Sequence, residues 1–386
     1  MSTAAERSDI PLFDLRLEPE DIEAVTETLR SGWLTMGPRI EAFEAAFAAR
    51  LGVTHAIALS NGTAALHLAM LAAGVVPGDE VIVPSYTFVA TANAAIYCGA
   101  TPVFADILGR ERPLIDPTEV QRLITSRTRA VVPVHFAGYA AAADELADLC
   151  AARGIALIED AAHAPVGSLA GRSLGTIGLA GAFSFFSNKV LSVGEGGLLA
   201  TDDDGVAARA RSLRSHAMTT GTWSRHRGHA DSYDVVGIGF NYRMDEPRAA
   251  LASSRLGRLD EDVARRRALS CGYRERLRDV PGLILPFDDA DVESSAAYVM
   301  PVMLERSSRR AEVRTVLRER HGIQTSVLYP AIHEFSAYRE RMPGIHLPRT
   351  ELAAGSEITI PLFPHMTEDQ QDRVVEALTE VLAHGK

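Results

Sequence analysis

The first 200 residues alternate between short apolar runs and longer segments with helical spacing, and this alternation constrains the fold most strongly. The apolar runs predict strands of one sheet, and the segments between them predict covering helices. Predicted strands span 55–59, 80–83, 101–105, 130–134 and 155–159, and predicted helices span 63–73, 87–98, 117–125 and 140–153. The pattern is typical of an α/β fold with a mainly parallel sheet, whose ligands bind at the carboxyl ends of strands.

The texture of the sequence changes in the second half. It predicts a loop over 215–232, a long helix over 245–277, strands at 297–304 and near Thr325 and Ile358, and helices over 308–320 and 368–382. A chain of 386 residues with 47% hydrophobic content is long enough to form two cores. We therefore predict an N-terminal arm and large domain over 1–250 and a smaller α+β domain over 251–386.

Charge and composition exclude several classes of function. No apolar run approaches the roughly 20 residues of a membrane helix, and the N-terminus lacks a signal-like pattern, so a cytoplasmic protein without a membrane partner is expected. The net charge of −11 argues against a nucleic-acid partner. Cys98, Cys150 and Cys271 have no pairing or metal-ligand spacing, so we expect buried free thiols and no metal site.

Lysine is almost absent from this sequence: only Lys189 and Lys386 occur, and arginine supplies the other basic side chains. Arginine cannot replace lysine where a neutral primary amine must attack a carbonyl, because its guanidinium stays protonated. Lys189 is therefore a candidate nucleophile, although most lysines are ordinary surface residues.

Ser60-Asn61-Gly62-Thr63 follows the first predicted strand and begins a helix. The free N–H groups at such a helix start can bind a phosphate. Serine and threonine in this position are more often simple helix caps, so this motif alone indicates a phosphate site only weakly.

The predicted strand at 155–159 is followed by Asp160 and, three residues later, His163. A carboxylate at the end of such a strand lies where ligands bind, and it can keep a pyridine nitrogen protonated. A turn or cap role explains Asp160 equally well, and a hydrogen-bonded structural role is the more common one for His163.

The strongest local signal runs from Gly181 to Gly197. An aromatic strand carries Ser184 and leads to Lys189, and the glycine-rich turn 194–197 follows. Glycine allows the backbone to pass close to a ligand. Ser184 could bind a phosphate and Lys189 could form an imine, with Asp160 at the opposite end of a pyridine ring.

These motifs and several others occur in the order found in one known family. They are 32–38 (GWLTMGP), 41–44 (EAFE), 61–66 (NGTAAL), 77–81 (PGDEV), 84–93 (PSYTFVATAN), 134–138 (VHFAG), 159–163 (EDAAH), 183–189 (FSFFSNK), 194–197 (GEGG), 239–244 (GFNYRM) and Tyr329-Pro330 with His333. The chain resembles the DegT/StrS-type sugar aminotransferases, which are pyridoxal-phosphate (PLP) enzymes of fold type I. The resemblance extends over nearly the whole chain.

The resemblance implies a role for each matched residue around the cofactor. Lys189 would form the imine and act as acid and base, and Asp160 would pair with the pyridine nitrogen. Phe88 would stack on the ring, and His163 would contact the 3-hydroxyl oxygen.

The phosphate contacts implied by the resemblance involve two subunits. Gly62, Thr63 and Ser184 would bind the phosphate within one chain. Asn241 would reach the phosphate of the neighbouring subunit, which implies a homodimer with shared active sites.

The implied reaction transfers an amino group from glutamate or glutamine to a keto-sugar, with pyridoxamine phosphate (PMP) as the intermediate form of the cofactor. A dehydratase of the same family typically has histidine in place of the lysine, so Lys189 argues against that activity. A PLP-binding sensor without activity and a transaminase acting on keto-cyclitols or aminoglycoside precursors remain alternatives.

The acceptor implied by the resemblance is a keto-deoxyhexose linked to thymidine or uridine diphosphate. The loop 216–229 is rich in cations and contains Trp223, so Arg225 and Arg227 are candidate diphosphate ligands. A solvated surface loop explains this composition equally well. Tyr329 and His333 are candidate sugar contacts from the C-terminal domain.

Overall fold

The computed structural model describes residues 9–220 and 232–384, and a seven-stranded sheet forms the centre of its larger part. The strands of this part are β1 (His55–Leu59), β2 (Glu80–Pro84), β3 (Thr101–Ala105), β4 (Thr128–Val131), β5 (Ala156–Asp160), the hairpin of β6 (Ser168–Leu169) and β7 (Arg172–Ser173), β8 (Ala180–Ser184) and β9 (Gly197–Thr201). The strand order of the large sheet is β1-β9-β8-β5-β4-β2-β3. Strand β9 is antiparallel to both neighbours, and the remaining pairs are parallel, which confirms the mainly parallel α/β sheet.

Helices cover both faces of the large sheet. They are α2 (Pro38–Leu51), α3 (Gly62–Ala72), α4 (Ala90–Tyr97), α5 (Pro117–Leu123), α6 (Ala143–Ala151) and α7 (Asp204–Leu213), whereas α1 (Pro19–Arg30) packs on the helical segment Glu246–Leu256. The alternation of side chains along β1 places Ile57 in the apolar cluster under α3, α4 and α7, and Ala58 in the cluster with Phe43 and Phe47 of α2. The sheet is thus buried on both faces.

The smaller part of the molecule is built on an antiparallel sheet of three strands. The elements that follow in the chain are α8 (Glu246–Leu256), α9 (Leu259–Leu277), β10 (Leu283–Ile284), α10 (Asp291–Ser294), β11 (Met300–Leu304), α11 (Arg310–His321), α12 (Ser336–Arg341), α13 (Pro348–Ser356), β12 (Glu357–Ile360) and α14 (Glu368–Ala383). Of these, α8 and α12 pack on the large sheet side. Short 3₁₀ helices span Phe136–Gly138, Ser307–Arg309 and Ile332–Glu334. This architecture matches fold type I of the PLP enzymes.

The N-terminal segment packs on the smaller part. The N–H of Ile10 donates to the Gly322 carbonyl at 2.8 Å, and the Ile10 carbonyl accepts from the N–H of Gln324 at 2.9 Å. Ile10 is fully buried in the same apolar cluster as Val302 and Leu317. The chain therefore begins and ends its described course on the same core, and a domain boundary near residue 250 stays a prediction.

The single long helix predicted over 245–277 is wrong, because two helices, α8 and α9, meet at Gly257 and Arg258. The two segments pack against different partners. Ala249 and Ala252 of α8 lie in the apolar cluster of the large sheet, whereas Leu269 of α9 lies in the core of the smaller part. The break lies at Gly257, because glycine is a poor helix former and because the segments on its two sides pack in different cores.

Two further observations concern the thiols and the helices. Cys98 and Cys150 are buried, but Cys271 is exposed, so the expectation of three buried thiols is wrong for Cys271. It lies two residues after Leu269, which turns it to the opposite face of α9 from the core.

Among the described residues, no helix has the length and apolar character needed to cross a membrane.

Candidate active site

The candidate site lies at the carboxyl ends of β5 and β8, where a cavity of about 540 Å³ opens. Asp160 is the last residue of β5, and Ser184 is the last residue of β8. The residues that sequence reasoning selected and that line this cavity are Gly62, Thr63, Phe88, Asp160, His163, Ser184, Lys189 and Tyr329. The parallel sheet therefore collects groups that are far apart in the sequence at one edge.

Helix α3 begins beside Ser184, and two glycines make this close approach possible. Strand β9 passes between β1 and β8 and opposes Ser184 with Gly197. A Cβ on Gly197 would lie 2.2 Å from the carbonyl carbon of Asn61, and a Cβ on Gly62 would lie 3.0 Å from Ser184 Cβ. Only glycine at these positions allows the helix start and the serine hydroxyl to approach each other.

Asn61 caps helix α3 and leaves its first N–H groups free. Its Oδ1 accepts from the N–H of Ala64 at 2.8 Å. Within residues 9–220 and 232–384, the N–H groups of Gly62 and Thr63 have no hydrogen-bond acceptor. They are available to an anion at the positive end of the helix dipole.

Lys189 projects into the cavity against an aromatic ring. Its Nζ lies 4.6 Å from the centroid of the Tyr298 ring. Burial lowers the pKa of Lys189 to about 7, and the charge of Asp160 opposes this shift. About half of the amine is therefore neutral near pH 7, and the neutral form is the one that attacks a carbonyl.

Asp160 is held in one orientation by two hydrogen bonds. Thr91 Oγ1 donates to Oδ2 at 2.8 Å, and the N–H of Ala162 donates to Oδ1 at 3.1 Å. Burial raises the pKa of Asp160, while these donors and Lys189 partly oppose the shift. A cationic ring nitrogen placed against this carboxylate would be stabilised strongly, because the surroundings exclude water.

The hydrogen bonds of His163 determine its tautomer. The N–H of Ala137 donates to Nδ1 at 3.3 Å, so the ring proton is on Nε2, which donates to Tyr329 Oη at 2.8 Å. Burial lowers the pKa of His163 well below its usual range, with Lys189 adding to the effect. The ring stacks on Tyr298 with centroids 4.3 Å apart. His163 is thus a neutral side chain wedged between two tyrosines.

Phe88 is the exposed aromatic wall of the cavity. Its side chain is 57% exposed, and its ring centroid lies 6.1 Å from that of Tyr329. It precedes α4, the helix that carries Thr91. One segment therefore offers both a face for a planar ring and an anchor for Asp160.

The other predicted site residues lie away from this cavity or outside the described residues. His333 is buried, its Nδ1 lies 2.7 Å from Ser85 Oγ, and its Nε2 lies 3.2 Å from Glu351 Oε1. Asn241 is exposed and does not line the cavity of its own chain. Arg225 and Arg227 are outside the described residues.

Sequence reasoning missed Tyr298 and Arg266, which line the cavity from the smaller part of the molecule. It also missed the anchor Thr91 as a functional residue, although Thr91 belongs to one of the quoted motifs. Thr91 could have been found as a hydroxyl one helical turn after the aromatic residue Phe88. Nothing local in the sequence marks Tyr298 or Arg266, because only the packing of the two parts brings them to Lys189.

The two acids at the end of β5 have separate tasks. Glu159 points to the opposite side of the strand and accepts hydrogen bonds from His135 Nε2 at 3.0 Å and from the N–H groups of Gly175 and Gly178, each at 2.8 Å. Burial alone would raise the pKa of Glu159, but these donors keep it below its usual range. Glu159 therefore fixes the chain between β5 and β8, and Asp160 faces the cavity.

The residues that line the cavity fit PLP at each functional group. The helix start and Ser184 form an anion cradle, the Asp160 carboxylate suits a protonated pyridine nitrogen, and the Lys189 amine suits an aldehyde. The family model of the DegT/DnrJ/EryC1/StrS aminotransferases matches residues 16–379. The chain belongs to this family. It is a PLP-dependent sugar aminotransferase, and PLP and PMP are the two forms of its cofactor.

Three known proteins illustrate the similarity. The chain is 39% identical over 369 residues to the spore coat polysaccharide biosynthesis protein SpsC of Bacillus subtilis (strain 168), with 94% of each chain covered. It is 34% identical to DesI, solved in the presence of its TDP-sugar product, with a TM-score of 0.86 and 96% and 92% of the two chains covered. It is 28% identical to NtdA of Bacillus subtilis, solved with bound PMP, with a TM-score of 0.87 and 99% and 87% covered.

Proposed function

We propose that this enzyme transfers the amino group of glutamate or glutamine to a nucleotide-linked keto-deoxyhexose. The observation that carries the proposal is the cavity of about 540 Å³ above Lys189, which has room for a sugar as well as the cofactor. The similarity to DesI, whose structure contains a TDP-sugar product, supports a nucleotide-linked acceptor. Amino transfer proceeds in two halves, and the donor product leaves before the sugar enters.

The residues of the large sheet hold the cofactor and move the protons. When bound, PLP supplies an aldehyde that forms imines with amines and a ring that accepts an electron pair. Asp160 keeps its carboxylate against the ring nitrogen through Thr91 and Ala162. Lys189, with a pKa of about 7, would act as the acid and base of amino transfer. It would take the proton from the α-carbon of the donor and deliver it to the cofactor carbon that carried the aldehyde.

The tyrosine-lined side of the cavity orients these groups and excludes water. Tyr298 lies under Lys189 Nζ, and its ring stacks on His163. His163 Nε2–H donates a hydrogen bond to Tyr329 Oη, which fixes the orientation of the imidazole in the cavity. A neutral His163 can donate or accept without adding a second cation next to Lys189.

A homodimer with shared sites is also part of the proposal. Asn241 is exposed, and the segment that precedes it exposes Tyr233, Val235, Val236 and Ile238, the last of them by 90%. An apolar strip of this kind supports coverage by a second copy of the chain. Asn241 would then reach the cofactor phosphate of the partner subunit.

Subunit mixing tests the shared site. Lys189→Ala and Asn241→Asp variants, each inactive or strongly impaired, should recover activity when their subunits exchange, because one of the two mixed sites carries both native residues. Mass spectrometry of differently labelled subunits verifies the exchange. If exchange is complete and activity does not return, the shared site is refuted.

The acceptor is tested by loading the enzyme with PMP and adding candidate ketones. Keto-deoxyhexoses linked to thymidine or uridine diphosphate should restore the yellow absorbance of lysine-bound cofactor, and free keto-sugars and keto-cyclitols serve as comparison. A response to cyclitols or free sugars alone would overturn the nucleotide-sugar proposal. No response to any of the nucleotide-linked ketones would overturn it as well.

A further inference from the structure

Arg266 of α9 is a buried cation that faces the active-site cavity without a carboxylate partner. Its side chain is held by two main-chain acceptors: Nη1 donates to the carbonyl of Tyr298 at 3.0 Å and to that of Leu362 at 3.1 Å. The residue is only 6% exposed and lines the cavity together with Lys189. Among the described residues, no acid lies within 4.0 Å of its guanidinium, and Nε and Nη2 have no acceptor.

Arg274, two turns further along α9, is a buried arginine whose charge is paired with an acid. Arg274 is equally buried at 6% exposure and also donates to two carbonyls, those of Pro286 and Phe287. Its Nε additionally pairs with Asp289 at 2.6 Å. Arg266 has the two carbonyls but lacks the acid. An unpaired buried charge is costly, and an anion bound to Arg266 would offset that cost.

Arg266 remains charged despite this burial. Burial lowers the pKa of Arg266 to about 10, with Asp262 opposing the shift, so the guanidinium is protonated at neutral pH. It presents a fixed positive charge to any molecule that approaches Lys189. The bidentate geometry of a guanidinium suits a carboxylate.

A second cavity of about 250 Å³ meets the first at Lys189. Asn188, Lys189 and Arg266 line both cavities, and Arg255 and Arg258 also line the smaller one. Asn188 Oδ1 is buried and has no donor among the described residues. The smaller cavity is lined by acids as well as arginines, and Arg255 and Arg258 both pair with Asp21. Lys189 therefore lies between a large cavity and a smaller, highly charged one.

We propose that Arg266 binds the α-carboxylate of the amino donor. The inference rests on the proposed amino transfer and assigns the donor subsite of the same active site. Tyr298 touches both partners, with its ring under Lys189 Nζ and its carbonyl on Arg266 Nη1. The amino group of the donor replaces the Lys189 amine, and the α-carboxylate is attached to the carbon that carries this amino group. It must therefore lie close to Lys189, as Arg266 does.

The diphosphate of the acceptor does not fit this position. In a keto-hexose the carbons next to the ketone carry neutral substituents, and the charged diphosphate is joined through the anomeric carbon, several bonds from the reacting carbon. A charge near Lys189 therefore distinguishes the donor from the sugar. Glutamate and glutamine share the α-carboxylate, so both belong to the ligand class.

The two half-reactions separate this role from a general structural one. The glutamate half-reaction is followed by the decrease in absorbance of the lysine-bound cofactor in a single turnover. In Arg266→Gln, the apparent Kd of L-glutamate from this measurement should rise roughly 10- to 100-fold, since a charged hydrogen-bond pair is lost. The apparent Kd of 2-oxoglutarate with the PMP-loaded enzyme should rise equally. The keto-sugar half-reaction should change by less than about threefold.

The matched control is Arg267→Gln, the next residue of α9. Arg267 also donates to a carbonyl, that of Ser295 at 2.8 Å, but it lines neither cavity. This variant should leave the glutamate constants unchanged. Wild-type enzyme should prefer glutamate to 4-aminobutyrate, which lacks an α-carboxylate, and Arg266→Gln should lose that preference.

A binding measurement makes the test independent of turnover. Calorimetric titration of PLP-loaded enzyme with glutarate should show affinity weakened roughly tenfold in Arg266→Gln. Arg266→Lys, which keeps the charge, should fall between wild type and Arg266→Gln, and it replaces the glutamine variant if that one fails to fold. Unchanged glutamate, 2-oxoglutarate and glutarate affinities, or an equal loss in the keto-sugar half-reaction, would overturn the proposal. If wild-type enzyme accepts glutamate but no keto-sugar, the acceptor assignment fails and the carboxylate subsite stands.

Discussion

The two sides of the cavity are built differently. On the large-sheet side, Asp160 and Ser184 are the last residues of parallel strands, and Gly197 is the first residue of the strand next to Ser184. On the other side, Tyr298, Tyr329 and Arg266 come from connecting segments and a helix of the smaller part. The strand pairing of the large sheet fixes the positions of the first group. The positions of the second group depend on how the smaller part packs against the large sheet. We infer that the sheet side performs chemistry common to both half-reactions and that the other side distinguishes the two substrates.

The largest expected effect is on the sheet side. Lys189→Ala should fold and retain PLP through the phosphate cradle, but turnover should fall about 10⁴-fold or more, because the nucleophile and proton carrier is gone. Borohydride treatment followed by peptide mapping should attach the cofactor to Lys189 in the wild type and to no residue in the variant. Attachment at another residue would contradict the assignment of the site.

The protonation state of Lys189 gives a pH-dependent prediction. Because the pKa of Lys189 is lowered to about 7, the reactive neutral amine is the minor form below pH 7 and the major form above it. The rate of PLP capture by cofactor-free enzyme should therefore rise about tenfold per pH unit below pH 7 and level off above it. A rise that continues to pH 10 would mean that burial does not depress the pKa of this lysine.

A smaller effect is expected when only the orientation of Asp160 is disturbed. Thr91→Val removes the hydroxyl that donates to Oδ2 and keeps the shape of the side chain. Both half-reactions should slow by a similar factor of roughly 10, since one hydrogen bond to a charged group is lost. Slowing of only one half-reaction would break the distinction between the two sides.

The smallest effect is expected for Tyr329→Phe on the other side. The variant leaves His163 Nε2–H without its acceptor but preserves the aromatic wall. Denaturant titration should show a loss of about 1 kcal/mol in the free energy of unfolding. Because Tyr329 is a candidate sugar contact, single-turnover kinetics should show a change of a few fold in the keto-sugar half-reaction only. Equal slowing of both halves would place Tyr329 with the shared chemistry.

The sequence alone predicted most strands of the large sheet and selected Lys189 and Asp160 as the central pair of the candidate site. Strand patterns are local, and the five strands predicted in the first 160 residues overlap β1 to β5. The scarcity of lysine and the position of an acid at a strand end are also visible without a structure. Helices α1, α2 and α7 were not predicted, although each carries apolar residues at helical spacing.

Only the tertiary structure decided which groups complete the site. Arg266 and Tyr298 are separated from Lys189 by more than 70 residues of sequence, and no spacing rule links them. The same applies to the break between α8 and α9, which follows from two cores competing for one helical segment. The local sequence determines whether a segment forms a helix or a strand. Whether a charged or aromatic side chain is buried next to Lys189 depends on how distant segments pack together. That packing sets the pKa of Lys189, the tautomer of His163 and the unpaired charge of Arg266.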